Sequence, residues 1–325
     1  LIEHRMGVVP GLVPLLAFSP LVLQMFRQAY LPDLFHAAVL SLLIALQPVG
    51  FVVPLFAACL LQATRENTLL LTLSVCVVSL ARGRFKLAAG FVTGTVAGLV
   101  LSRLLSASAQ NVHRLPEGLY LMLKVPFNLL RNVLGVPLWA NTLNYCDPWA
   151  VWEVPRWLPL GRIQVVGICA IDHTMQLETL LALLTLFGTL PAIVGYSLWH
   201  FRLSVVRLID PWPTVAIVYG LASFLVGACT GASVGRLVGY AWPAFWVGGP
   251  WLLSHILALE LKFSLWLLTI HELVLWLPYV MSDPSSNSTG GWACVAIAGV
   301  AHVVVIVQLR YNHSRYQPRF SCRST

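Results

Sequence analysis

The chain has 325 residues, of which 58% are hydrophobic and 10% charged, with a mean hydropathy of +0.80. Soluble domains carry roughly 25% charged residues, so the composition excludes a soluble globular enzyme and points to a polytopic helical membrane protein. The net charge of +8 comes from basic residues scattered at the ends of apolar stretches, without the basic stripe or aromatic–basic platform that binds nucleic acid.

A helix needs about 20 mostly apolar residues to cross the hydrocarbon core. In chain order, stretches that meet or approach this fall at 7–26, 34–47, 49–63, 68–81, 87–106, 177–199, 212–230, 238–259, 263–280 and 292–309. The expected fold is all-α, a transmembrane bundle of about ten spans, with N-terminal helices in 1–106 and C-terminal helices in 177–309. Several early spans are short or carry proline (Pro10, Pro14, Pro20, Pro48, Pro54). Broken backbone at membrane depth is tolerated where protein or water satisfies it. The chain opens at Leu1 with no signal-peptide layout, which predicts that the natural protein starts further upstream.

Residues 107–176 differ in kind, holding Pro, Trp and charges of both signs. Their first part, PEGLYLMLKVPFNLLRNVLG, reads as an interfacial, proline-broken amphipathic helix. Basic residues gather at Arg82/Arg84/Lys86, Arg202/Arg207, Lys262 and the tail 310–325. Cytoplasmic loops hold such an excess. This places the C-terminus in the cytoplasm and the 107–176 loop on the non-cytoplasmic face of a cell or inner membrane. Membrane lipids, and an anionic lipid-linked substrate, are the expected partners.

On the outer side also lie Asn287-Ser288-Thr289, a glycosylation pattern, and Cys146 and Cys169, which that compartment allows to pair. Two unpaired loop thiols are the plainer alternative. Cys59, Cys76, Cys229 and Cys294 read as packing residues. No spacing resembles a zinc or haem site, so no metal-ligand cluster is expected, and the use of a divalent metal is left open.

Several polar groups stand at the outer ends of spans. Asp33 and His36 are three apart and share a helix face if the helix begins near Pro32; an acid after Pro32 is also a plain helix start. Arg65, Glu66 and Asn67 form a tight turn between two spans. Two readings fit there: Arg65 and Glu66 neutralise each other at the interface, or Arg65 grips a phosphate with its planar fork. Arg236 and Tyr240 stand before AWPAFW, where they either join Arg65 around an anionic headgroup or anchor the interface. In the loop, Asp172 and His173 are adjacent, as an acid–base pair or a solvated loop.

Four stretches together resemble the GT-C superfamily of integral-membrane glycosyltransferases. FSPLVLQMFRQAYLPDLFHAAVLSLLIAL resembles the family's helix entered by an acid, and LFAACLLQATRENTLLLTLSVCVVSL its Thr-Arg-acid hairpin. ARGRFKLAAGFVTGTVAGLVL is similar to its basic turn, and GRLVGYAWPAFWVGGPWLL to its late aromatic, proline-bearing helix. The four cover about a third of the chain. The resemblance implies sugar transfer, with inversion, from a polyprenyl-phosphate-linked donor to an acceptor on the non-cytoplasmic face. An acid would be the general base and cations would steady the departing phosphate. Asp33 and Glu66 are the nearest acids, with Arg65, Arg236 and Tyr240 as phosphate ligands and His36, Asp172 and His173 as secondary candidates. No cofactor beyond the lipid-linked donor is implied. The family's usual base follows its first span, and the resemblance predicts that this region lies upstream of Leu1.

A second class of reading is a secondary transporter or lipid flippase. His271 and Glu272, ionisable and mid-span in TIHELVLW, favour it, whereas no internal repeat does. A third is a non-catalytic membrane subunit.

Overall fold

The computed structural model describes residues 31–65, 67–106, 129–133, 151–153, 162–164, 173–201, 211–229, 234–253, 261–281 and 288–315. Within the described residues the apolar stretches are helical; the span expected at 7–26 lies outside them. The N-terminal group comprises α1 (Leu31–Leu46), α2 (Val52–Thr64), α3 (Thr68–Ala81) and α4 (Phe85–Ser106). The basic turn between α3 and α4 closes on Gly83, at φ +67°. Arg84 N–H reaches back to the Ser79 carbonyl at 2.8 Å, the bond that ends a helix in a Schellman motif.

Phe85–Leu104 and Thr289–Asn312 are long and apolar enough to cross a membrane, and these two helices carry the membrane assignment. The other apolar helices are shorter.

Helices α2 and α4 pack unusually close because α4 presents Gly90, Gly94 and Gly98, four residues apart, along the contact. A Cβ on Gly90 would lie 2.5 Å from the Phe51 carbonyl oxygen, and one on Gly98 2.6 Å from that of Cys59. On Gly94 it would meet the Leu55 carbonyl oxygen directly. Small residues at this spacing let two backbones touch, the main source of helix association where lipid removes the hydrophobic drive. Across the bundle, the Thr72 and Thr95 hydroxyls bond at 2.6 Å and tie α3 to α4.

The C-terminal half comprises α5 (His173–Thr185), α6 (Leu190–Phe201), α7 (Pro211–Gly227), α8 (Val234–Gly239), a π-helical segment Pro243–Gly248, α9 (Gly249–Leu252), α10 (Leu261–Val280) and α11 (Ser288–Arg315). Two expected continuous spans are interrupted. The span expected at 177–199 is two helices bent by 70°, because Gly188 takes φ +51° and Thr189 starts a new helix, its carbonyl accepting Ala192 N–H at 3.1 Å. In the span expected at 238–259 a turn at Tyr240–Ala241 follows α8, and from Trp242 to Leu253 the chain is one helical run, π-wound over Pro243–Gly248. Pro250 brings no N–H to the ladder, and Gly249 N–H is shared by the Ala244 and Phe245 carbonyls.

Two apolar cores result. One joins α1–α4 and α7 around Leu40, Leu61, Phe91 and Trp212. The other joins α5, α6, α8, the π segment, α10 and α11 around Phe187, Ile193, Phe245 and Leu309. Trp242 and Trp251 pack against both, so the segment after α8 is the seam of the molecule. Gly220 of α7 seats it: a Cβ there would fall on Ala244 and lie 2.8 Å from the Ala241 carbonyl oxygen.

The fold is all-helical as expected, with one short extended element in the 107–176 stretch. A three-residue antiparallel ladder pairs β1 (Val151–Glu153) with β2 (Arg162–Gln164), Trp152 opposite Ile163. Val, Trp and Ile favour strands, and the intervening sequence holds Pro155, Pro159 and Gly161, residues that turn a chain. The turn Leu129–Val133 is π-helical, with Asn132 Nδ2 donating to the Ala228 carbonyl at 3.1 Å.

Candidate functional site

Four of the residues singled out from sequence meet at one place. Asp33 stands in the first turn of α1, where a carboxylate is favoured by the helix dipole, and is almost fully buried. Arg65 follows the last turn of α2, and its Nε lies 2.7 Å from Asp33 Oδ1. Tyr240, in the turn after α8, donates its hydroxyl to the same carboxylate oxygen. His36, one turn along α1 from Asp33, is fully buried and meets the Tyr240 ring edge-on, with centroids 5.3 Å apart.

Each position follows from local sequence. α2 ends at Thr64, whose hydroxyl turns back to the Leu61 carbonyl at 2.7 Å, and Arg65 leaves the helix with extended backbone. Arg65 N–H still caps the helix on Leu61 O at 2.9 Å, so the guanidinium departs from a fixed point. The turn is held from the other side by Asn67, whose Nδ2 donates to the Tyr219 hydroxyl of α7 at 2.9 Å. Tyr219 is fully buried. Its Phe variant should cost about 1 kcal/mol for the lost hydrogen bond, read in a thermal melt. It should also lower the order of the Arg65 turn, read in hydrogen exchange.

The cluster keeps unspent hydrogen-bonding capacity. Both ring nitrogens of His36 are buried without a partner among the described residues, as are Thr68 Oγ1 and Gln62 Oε1 on the helices either side of the Arg65 turn. Buried polar groups are normally paired, so such a concentration marks a place where another molecule or other parts of the chain complete the bonding. Arg65 keeps 28% of its side chain accessible, while its Nε is shielded. One guanidinium against one carboxylate leaves the described charges balanced. The arrangement therefore suits a singly charged or hydroxyl-rich group better than a dianion.

The other candidates are placed less fully. Arg236 lies in α8, one turn before Tyr240, and His173 opens α5; their side chains lie outside the described residues, as do Glu66 and Asp172. So do Cys146, Cys169 and Asn287. Cys59, Cys76, Cys229 and Cys294 are free thiols. Among the described residues no three His, Cys, Asp or Glu side chains come together as metal ligands.

No family model matches the chain, and no curated protein or solved structure does either. The site is therefore read from its own geometry.

A second polar group lies away from this cluster. His271 of α10 is buried, and its Nδ1 accepts the Thr189 N–H at 3.2 Å, at the α5–α6 break. Glu272 turns the other way and accepts Trp276 Nε1–H at 3.1 Å. It borders an apolar cavity of about 710 Å³ between α10 and α11, lined by Leu268, Trp276, Ile297 and Ala301. His271 and Glu272 thus belong to different environments and do not act as a pair. Tyr219 is the site residue that sequence reasoning passed over; a tyrosine inside the apolar run AIVYGLASF was its signal.

Proposed function

We propose that the chain is part of a GT-C-like membrane glycosyltransferase, moving a sugar from a polyprenyl-phosphate donor to an acceptor on the non-cytoplasmic face. In this reading the shorter apolar helices also cross the membrane, giving about ten spans, with the basic tail in the cytoplasm. The single observation that carries it is the fixing of Arg65 by buried Asp33 at the mouth where Tyr240 and His36 converge.

Asp33 holds Nε, which leaves the terminal amino groups of Arg65 to take phosphate oxygens. A guanidinium placed beforehand stabilises charge developing on the leaving phosphate without reorganising during the step. The acceptor hydroxyl attacks the anomeric carbon, the carbon–oxygen bond to phosphate breaks, and the electron pair leaves with the phosphate. The hydroxyl proton goes to a carboxylate. Asp33 Oδ1 is ion-paired with the Arg65 guanidinium and accepts the Tyr240 hydroxyl, which makes Asp33 the anchor of the cation and leaves Glu66 as the candidate base.

The test uses the protein in proteoliposomes with polyprenyl-phosphate-linked hexoses. Arg65→Lys keeps the charge against Asp33 but loses the planar fork, so transfer should fall at least about a hundredfold, the cost of one such electrostatic contact, with the melt little changed. Equal transfer by wild type and Arg65→Lys would remove the proposal. The 70° break beside His271 is the observation that favours the alternative, a secondary transporter or lipid flippase. Solute or lipid movement by wild type, with no sugar transfer, would select it. Neither activity would leave a non-catalytic membrane subunit.

A further inference from the structure

The α5–α6 break is built around histidines in a way that sugar transfer does not require. Gly188 lies directly under His271: a Cβ there would be 2.5 Å from Nδ1 and 2.6 Å from Cε1. The next amide, Thr189 N–H, donates to that Nδ1 at 3.2 Å. An amide can only donate, so Nδ1 carries no proton and the ring is neutral in this arrangement. Placing a proton on Nδ1 would set two donors face to face and remove the bond.

The break is also placed to matter. α5 packs on α8, just before Tyr240, and α6 packs on the π segment and α9, just after it. The two arms of the bend thus grip the two flanks of the residue that closes the Asp33–Arg65 cluster.

We propose that the break at Gly188–Thr189 is a proton-operated hinge. Neutral His271 latches it through the Thr189 amide, and protonation of Nδ1 releases α6 from α5 and loosens the seat of Tyr240. Other titratable and charged groups lie on the surrounding elements. On α11, His302 has its Nδ1–H on the Ala298 carbonyl at 2.8 Å and its ring beside the Gly188 main chain, and Arg310 lies near Tyr196. On α10, Glu272 is turned to Trp276. Glu178 is exposed on α5, and on α6 Tyr196 stacks on His200 at 5.4 Å. The Thr189–His271 Nδ1 bond makes His271 the latch. This latch is independent of whether the protein transfers sugar.

Hydrogen–deuterium exchange of the full chain in lipid nanodiscs, from about pH 8 to about pH 5, spans histidine titration. After correction for intrinsic exchange, protection of the peptide holding Gly188 and Thr189 should fall about fivefold to tenfold on acidification, the worth of one hydrogen bond. His271→Gln keeps an acceptor oxygen and takes no proton, so protection should hold across the range. In His302→Gln the wild-type drop should persist. A drop unchanged in His271→Gln, or no drop in wild type, would overturn the hinge. If His271→Gln fails to fold, nitrogen NMR of the wild-type ring decides: a proton on Nδ1 at neutral pH would rule the latch out.

Discussion

Gly94→Leu is expected to separate α2 from α4 and to lower stability by about 3 kcal/mol or more, beyond ordinary overpacking of about 1–3 kcal/mol. The first added carbon would meet the Leu55 carbonyl oxygen and lie 2.9 Å from Ala58 Cβ. Neither neighbour can rotate away, because one is backbone and the other has no rotamer. The helices must move apart along their whole contact, and the contacts at Gly90 and Gly98 go with it. Gly299→Ala is the internal control: nothing lies within 4 Å of its Cβ position, so it should gain up to about 1 kcal/mol from helix propensity. Melts of both variants in one detergent give the comparison. A Gly94→Leu protein as stable as wild type would show that the close approach is not what joins these helices.

The second large effect is expected at the Asp33–Arg65 pair. Arg65→Ala leaves a buried carboxylate without its cation, which should cost about 3 kcal/mol, the lower end for breaking a buried pair because Arg65 is partly accessible. Asp33→Asn combined with Arg65→Gln removes both charges, keeps an N–H donor at the position of the Arg65 Nε and lets the amides bond to each other and to Tyr240. It should recover most of the lost stability, since a buried pair as a whole contributes little. Sugar transfer should stay lost in the double variant, which separates folding from phosphate binding. If the double variant is as unstable as Arg65→Ala, the loss comes from packing of the arginine stem and not from the stranded charge.

Asp33, His36, Arg65 and Tyr240 are legible in the sequence because a polar side chain at the end of an apolar run is costly unless something satisfies it. Their meeting is not legible: 207 residues separate Tyr240 from Asp33, and nothing local sets that distance. The α5–α6 break shows the opposite failure. Gly188, Thr189 and Pro191 form a stop and start for helices, yet hydropathy averaged over the span at 177–199 conceals three residues among apolar neighbours. Gly90, Gly94 and Gly98 are hidden for a related reason, since hydropathy counts glycine as neutral and their meaning lies in spacing. The π-wound turn at Pro243–Gly248, beside Pro250 with its missing N–H, is likewise a property of bonding that an apolar run does not display.

The wide separation of Tyr240 from its partner has a consequence for biogenesis. Domains form from the N-terminus as synthesis proceeds. Asp33 and Arg65 emerge within the first two helices described here, whereas Tyr240 arrives only after α8. Through that interval the aspartate and arginine are paired without the tyrosine, while α3 to α7 emerge around them. The tyrosine hydroxyl then serves as a late seal, on a core that α7 has already joined.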